Sequence, residues 1–131
     1  MAHVSAQIQK ELYKVSIESP SGNVVIADEP LENGGHDLGF SPKELLAASL
    51  AACTSATLRM YADRKGWDLQ EVKLEIDLER DEPGNKTIIK RNLELFGNLD
   101  EKQRERLLLV ANSCPVHKIL TNSIEITTEF I

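Results

Sequence analysis

A run of uncharged residues from 45 to 58, LLAASLAACTSATL, constrains this chain more than any other feature. The SPKE stretch before it carries the signals of a helix start, because Ser41 suits the N-cap and Glu44 the third position of a capping box, with a proline between them. Gly66 can take the left-handed conformation that ends a helix, so the pattern predicts one helix to about Lys65. At 1.5 Å per residue, such a helix is roughly 36 Å long.

No face of this helix carries a charge between residues 45 and 58, whereas a surface helix has one apolar stripe and a charged opposite face. The predicted helix is therefore expected to be buried all round, at the centre of the fold. Its length exceeds the diameter of a domain of 131 residues, so one chain can hardly enclose it. A second copy of the chain is the simplest cover, and the pattern predicts an obligate homodimer.

Strands are predicted on both sides of the helix. Residues 14–19 (KVSIES) and 23–28 (NVVIAD) are rich in strand-forming residues and flank a turn. Residues 71–80 alternate strictly between apolar and charged, and residues 87–96 return after a DEPGNK turn. This second pair is typical of a half-buried antiparallel hairpin.

A second helix is predicted from residue 101 to 114, with Asp100 as its cap and its apolar positions on one side. Pro115 kinks this helix or ends it. Residues 123–131 (SIEITTEFI) alternate again and predict a last strand. Without repeat or linker, the chain predicts one α+β domain over residues 1–131, with antiparallel sheets, a long buried central helix and a second, Pro-kinked helix.

Composition narrows the partners and the compartment. A net charge of -6 argues against nucleic acid and anionic membranes, which need dense Lys and Arg. The first residues lack the apolar core of a signal peptide, and the uncharged run is too short to span a bilayer. We therefore expect a cytoplasmic protein, in which a lasting disulfide between the two cysteines would be rare.

These cysteines, Cys53 and Cys114, have two interpretations. Cys53 sits among alanines, where an inert buried thiol is the common outcome. Cys114 differs, because if Pro115 opens a new helical turn, Cys114 becomes its N-cap and the free N–H groups ahead favour a thiolate. His117 would then lie within reach of the sulfur as a base or an orienting donor. From the residues alone, an inert pair and a reactive pair both stay open.

The stretches GFSPKELLAASLAAC, RKGW and CPVHKIL, together with the alternating strand pair, resemble the osmotically inducible protein C / organic hydroperoxide resistance (OsmC/Ohr) family over essentially the whole chain. The resemblance implies an intertwined α+β homodimer with two active sites at the subunit interface. It also implies that Cys53 is the peroxidatic residue that reduces organic hydroperoxides and Cys114 the resolving one. The electron donor would be a dithiol, lipoyl-type in the best-known branches, and no bound cofactor is expected.

The chain departs from the family pattern at two points. Peroxidase branches usually place a glutamate directly after the helix-opening proline, where this chain has Lys43, and they use an arginine from the N-terminal strands, whereas residues 1–40 contain none. Glu44 is explained by its capping role, although it stays an auxiliary candidate together with His117 and Lys43. The other candidate cations on the N-terminal strands are Lys10 and Lys14.

Two further hypotheses compete with a peroxidase. The missing arginine and Lys43 favour a non-catalytic ligand-binding or structural dimer that keeps the family scaffold. Cys53, Cys114, His117 and His36 could in principle bind zinc, but the two close-spaced ligand pairs of a structural zinc site are missing, so no metal is expected.

Overall fold

A three-stranded antiparallel sheet occupies the first part of the chain in the computed structural model, which describes residues 1–131. Its strands are β1 (Ser5–Ile8), β2 (Val15–Glu18) and β3 (Val24–Ala27), paired in the order β1-β2-β3. The structure confirms the two strands predicted here, and β1 pairs with the first of them. The chain divides into two units, residues 1–46 and residues 47–131, so one domain over 1–131 stays a prediction.

A buried carboxylate organises the loop that follows β3. Asp28 is only 2% exposed. Its side-chain oxygens accept backbone N–H groups of Tyr13 at 3.1 Å, Glu29 at 2.8 Å, His36 at 3.2 Å and Leu38 at 3.1 Å. Four backbone donors that no strand pairs are thereby satisfied by one side chain.

Helix α1 runs from Pro42 to Lys65, as the sequence predicts. The Ser41 backbone N–H donates to Glu44 Oε1 at 2.8 Å, and the Glu44 N–H donates to Ser41 Oγ at 3.2 Å, which is the predicted capping box. Gly66, with φ of 70°, follows its last residue. By length and composition α1 could also span a membrane, a test that core helices of soluble proteins pass as well.

The expectation that α1 is buried all round is not met within one chain. Its buried residues are four apart and form a single stripe: Leu50, Thr54, Leu58 and Ala62. Met60, on another face, is 67% exposed. One chain of this size covers only one side of a helix of this length, which leaves the other faces open.

Strands β4 (Glu71–Asp81) and β5 (Lys86–Phe96) form the predicted hairpin. Along each strand, partly buried residues alternate with exposed ones over most of its length, and the inner face packs on a core of buried residues from helix α1, the segment after it and the second helix. These core residues are Leu58, Ala62, Leu69, Leu107, Val110 and Ala111.

The predicted Pro-kinked helix is in fact two helices, α2 (Glu101–Ala111) and α3 (Pro115–Leu120). Asp100 caps α2 in a capping box with Gln103, as its position predicts. Pro115 ends the run rather than kinking it, because proline lacks the N–H that a continuous helix needs and is well placed at the first position of a new one.

The prediction of a last strand is wrong for the single chain. Residues 123–131 are all exposed and belong to no strand. Their alternating pattern is real, but a strand needs a neighbouring strand to bond its backbone, and none in this chain pairs with this segment.

Candidate active site

The structure brings the two cysteines together. Cys53 lies in the middle of α1 and is partly buried, while Cys114 precedes α3 and is 0% exposed. Both are free thiols, and the Cys53 side chain lies close enough to Cys114 to lower the pKa of that thiol. Two residues 61 positions apart in the sequence therefore share one site.

Cys114 is the N-cap of α3. Pro115 therefore opens a new helix, which is the condition under which a reactive Cys114 is expected. The Cys114 backbone is extended, with φ of -67° and ψ of 142°, and Pro115 takes the first helical position. The backbone N–H of His117 donates to Cys114 Sγ at 3.3 Å. A thiolate accepts such a bond more strongly than a thiol does.

Thr54, which sequence reasoning did not single out, lies between the cysteines and the nearby cation. It is fully buried on α1. Its Oγ1 donates to the Leu50 carbonyl at 2.7 Å and lies 3.8 Å from Cys114 Sγ. The same oxygen accepts a hydrogen bond from Arg91 at 3.0 Å.

Residues 1–40 contain no arginine, and Arg91 supplies a cation to this site instead. It projects from β5, and its guanidinium donates to Thr54 Oγ1 at 3.0 Å and to Asn112 Oδ1 at 2.9 Å. A third contact, 3.3 Å long, joins it to His117 Nδ1. Arg91 is partly buried between two apolar positions of the same strand face, Ile89 and Leu93.

The sequence did hold a signal for Arg91. In an alternating strand the side chains at positions 89, 91, 93 and 95 point to one face, and in this strand that face packs inward. A charged residue in the apolar register of a half-buried strand is unusual and marks a group that needs a partner inside the fold. The alternation predicts the strand, and Arg91 is the one cation among its partly buried positions.

The surroundings of Cys114 favour its ionised form. Burial raises the pKa of this thiol, but hydrogen bonds from the His117 backbone, Cys53 and Thr54, together with the positive charge of Arg91, lower it more. The net effect holds the pKa of Cys114 below that of an ordinary cysteine.

The imidazole of His117 contacts the guanidinium rather than the sulfur. The Nδ1 atom faces Arg91 Nη2, a donor, so Nδ1 accepts and any ring proton of the neutral form is on Nε2. Cys114 is contacted by the backbone of His117 instead. His117, predicted as a base or an orienting donor, therefore holds Cys114 through its backbone N–H, while its ring contacts Arg91.

The remaining candidates belong to the unit of residues 1–46. Glu44 is held in the capping box, where hydrogen bonds from the backbone and side chain of Ser41 lower its pKa. Lys43 is exposed in the first turn of α1, and Lys10 and Lys14 are exposed in the unit of residues 1–46.

The zinc hypothesis finds no support in the geometry. No cluster of three or more His, Cys, Asp or Glu side chains suited to a metal ion occurs. The His36 Nδ1 atom lies 2.8 Å from the Leu12 carbonyl oxygen within the first unit.

A cavity of about 220 Å³ adjoins the thiol site through Arg91 and His117. Its apolar wall is formed by Leu50, Ile89 and Leu120. Two hydroxyl groups complete the lining, those of Thr87 and Thr121. A cavity lined by a guanidinium and by three aliphatic side chains suits a small molecule with a polar head and an apolar body.

Residues 34–129 match the family model of OsmC-like proteins. Because this match spans well over half of the sequence, the chain belongs to the OsmC-like protein family, which confirms the resemblance inferred from its motifs. Among curated proteins no match is found.

Solved structures share the fold over nearly the full length. A Psychrobacter arcticus protein described as a candidate osmotic stress induced and detoxification response protein superposes with a TM-score of 0.79, at 26% identity over 91% of this chain and 88% of that chain. The OsmC-like protein of Mycoplasma pneumoniae gives 0.78 at 21% identity over 92% and 86%. The organic hydroperoxide resistance protein OhrB of Bacillus subtilis gives 0.64 at 24% identity over 92% and 90%. These structures confirm the predicted α+β fold with antiparallel sheets.

Proposed function

We propose that this protein reduces organic hydroperoxides with Cys53 and Cys114 as a redox pair, in defence against oxidative stress. The observation that carries the proposal is that the two free thiols share one site, in which Thr54 Oγ1 lies 3.8 Å from Cys114 Sγ and accepts a hydrogen bond from the Arg91 guanidinium. Membership of the OsmC-like family supports it, as does a structural relative named for organic hydroperoxide resistance.

In the proposed reaction the Cys53 thiolate attacks the terminal oxygen of the hydroperoxide. The S–O bond forms while the O–O bond breaks, and the departing alkoxide takes a proton to become the alcohol, leaving Cys53 as a sulfenic acid. Cys114 then displaces the hydroxyl group from the Cys53 sulfur, which forms a disulfide and, after protonation, water. A dithiol reductant, such as a dihydrolipoyl group, supplies two electrons and two protons and leaves as its own disulfide.

The cavity beside Arg91 supports an organic rather than an inorganic peroxide. Its aliphatic wall of Leu50, Ile89 and Leu120 can bury the alkyl group of a substrate. Burial of apolar surface stabilises binding by about 25 cal/mol per Å², a gain that hydrogen peroxide cannot provide.

The test is oxidation of the reduced protein by cumene hydroperoxide, followed by thiol titration. We expect the wild type to lose both of its thiols per chain, and Cys53→Ser to keep its one remaining thiol. Cys114→Ser should still react but stop at a sulfenic acid, which dimedone would trap. If the hydroperoxide leaves both thiols of the wild type free, the peroxidase is ruled out and the non-catalytic ligand-binding dimer takes its place.

We further propose that the protein is a cytoplasmic homodimer. The open faces of α1 and the exposed apolar side chains of the C-terminal segment support a second copy as their cover, since exposed apolar patches of this kind usually mark interaction sites. Among these side chains are Met60, Ile124, Ile126 and Phe130.

A further inference from the structure

Arg91 connects three separate parts of the thiol site. Its guanidinium binds Thr54, the residue that follows Cys53 on α1, and it binds Asn112 and His117 on either side of Cys114. Because a guanidinium presents several donors in a rigid plane, these bonds fix the two cysteine-bearing segments relative to one another.

The two sulfurs have different surroundings, and the charge of Arg91 acts on that of Cys114. Thr54, which binds Arg91, has its Oγ1 at 3.8 Å from Cys114 Sγ. Cys114 also receives the His117 backbone N–H, and it is fully buried, whereas Cys53 is partly exposed. The site is therefore asymmetric, with one sheltered, cation-supported sulfur and one accessible sulfur.

We propose that Arg91 is the positioning residue that makes Cys114 the attacking thiolate in disulfide formation and the leaving group in disulfide reduction, so that the reductant attacks Cys53. This inference rests on the proposed function and extends it to the roles of the two sulfurs after the peroxide has reacted. The titratable groups beside Cys114 are Cys53 on α1, Arg91 on β5 and His117 on α3.

In disulfide formation the electron pair of the Cys114 thiolate forms the S–S bond, and the S–O bond of the Cys53 sulfenic acid breaks. Hydroxide leaves and is protonated to water. Because a thiolate and not a thiol is the nucleophile, the rate depends on the ionised fraction of Cys114. A slow step at this point would leave the sulfenic acid open to a second peroxide molecule, which oxidises it to sulfinic acid.

In disulfide reduction a thiolate of the dithiol attacks one sulfur and expels the other. The sulfur with the lower pKa leaves faster, and the more accessible sulfur is attacked more often. Both criteria select attack on Cys53 and departure of Cys114, since burial shields Cys114 while the Arg91 charge stabilises it as it leaves. The mixed disulfide with the reductant therefore forms on Cys53, and the second thiol of the reductant then releases Cys53.

The first experiment follows ionisation without any peroxide. In a Cys53→Ser background, which leaves a single thiol and keeps a hydroxyl at position 53, the ultraviolet absorbance of the Cys114 thiolate is recorded against pH. Arg91→Met should move the midpoint upward, toward an ordinary cysteine, and at any pH below the midpoint each rise of one on the pH scale lowers the thiolate fraction by up to about tenfold. Arg91→Lys, which keeps the charge, should recover part of this change.

A matched control is available in Arg104, a partly buried arginine that donates to the Leu95 and Gly97 carbonyls. Arg104→Met removes the same kind of side chain and should leave the midpoint unchanged. Arg91→Gln, which keeps donors but no charge, replaces Arg91→Met if the latter does not fold. Equal midpoints in Cys53→Ser alone and in its combinations with Arg91→Met (or Arg91→Gln) and with Arg104→Met would overturn the inference.

The second experiment uses both cysteines and excess cumene hydroperoxide, with mass spectrometry of the Cys53 peptide. Arg91→Met should accumulate sulfinic acid where the wild type forms the disulfide, and a trapped mixed disulfide with dihydrolipoamide should map to Cys53. A mixed disulfide on Cys114 would contradict the assignment of the leaving group. If the wild type does not react with the peroxide, the proposed function fails, while the pH titration still decides whether Arg91 controls Cys114.

Discussion

Thr54 has one hydroxyl hydrogen and two neighbouring acceptors, the Leu50 carbonyl at 2.7 Å and Cys114 Sγ at 3.8 Å. Its oxygen at the same time accepts a hydrogen bond from Arg91. In the arrangement observed, the threonine hydroxyl donates its hydrogen to the Leu50 carbonyl, so the neutral Cys114 thiol can donate to the threonine oxygen. Once Cys114 ionises, rotation of the hydroxyl can bring its hydrogen to the sulfur instead.

Replacing Thr54 with Val keeps its shape and removes this shared oxygen. We expect a loss of about 1 to 2 kcal/mol in the free energy of unfolding, because the Arg91 guanidinium loses an acceptor in a partly buried place. Urea denaturation measures the change. Ser55→Ala is the matched control, since its hydroxyl makes the same bond to the carbonyl four residues earlier, that of Ala51, at 2.8 Å. Equal losses in the two variants would contradict a special role for Thr54.

Asp28 gives the protein a defined response to acid. Burial raises the pKa of this carboxyl, but the backbone N–H groups of Leu38, Tyr13, Glu29 and His36 lower it further, so its pKa in the folded state lies below the ordinary value. A group of this kind stabilises the fold fully above its unfolded pKa, about 3.9, and the contribution is lost as the pH falls from there through the folded value.

Asp28→Asn should therefore lower the urea midpoint at neutral pH and reduce the further loss of stability below about pH 4. Urea unfolding at a series of pH values measures both effects. Asp77→Asn, on the exposed face of β4, serves as control and should follow the wild type. An Asp28→Asn curve parallel to the wild type over the whole range would show that the carboxylate has no such role.

At the scale of elements, strand β5 and helix α1 are the two supports of the site. Arg91 reaches the thiols because β5 alternates, so every second side chain faces inward. Thr54 and Leu50 point to the same side because they are four residues apart on α1. The side chains that face inward are set by the two-residue period of β5 and by the helical period of α1. The site forms where these two inward faces meet the start of α3.

The start of α1 depends on its capping box. Ser41→Ala removes the oxygen that accepts the Glu44 N–H, and we expect a loss of about 1 kcal/mol in the free energy of unfolding. Urea denaturation checks this against Ser123→Ala, at an exposed position outside any helix or strand. Since the cap is not part of the proposed chemistry, the thiol loss on treatment with hydroperoxide should be unchanged. An unchanged urea midpoint would contradict the stabilising role of the cap.

At the scale of the whole molecule, the single chain leaves apolar surface uncovered. The C-terminal segment exposes Ile126 by 82%, and its alternating pattern is that of a strand without a neighbour. The side of α1 that bears Met60 is open as well. In a homodimer, a second copy of the chain would cover these surfaces.

Ile126→Asp tests this homodimer. Burying an isoleucine contributes about 1.5 to 3 kcal/mol, so the substitution should raise the dissociation constant of the dimer by about tenfold or more. Thr127→Asp places the same charge on the opposite side of the segment and should change it little. Analytical ultracentrifugation of the full chain measures both. A wild type that is monomeric at micromolar concentration would refute the homodimer.

Local signals in the sequence determined most of the elements. The start and end of α1, the cap of α2 and the β4–β5 hairpin follow from hydrogen bonds and side-chain periods that involve residues close in sequence, so a short stretch contains all the information needed. The pairing of Cys53 with Cys114 is instead predicted by the family resemblance of the motifs around them. The two residues alone are equally consistent with an inert pair.

The surroundings of the thiols, in contrast, follow from the packing of remote elements. Arg91 is 38 positions from Cys53 and 23 from Cys114 in the sequence (91 − 53 and 114 − 91), and only the packing of β5 against the helices brings its charge to Cys114. The same packing buries Cys114 and brings Thr54 into contact with both Arg91 and Cys114. A pKa depends on distances in space, and distances between remote residues are properties of the folded chain rather than of any local pattern.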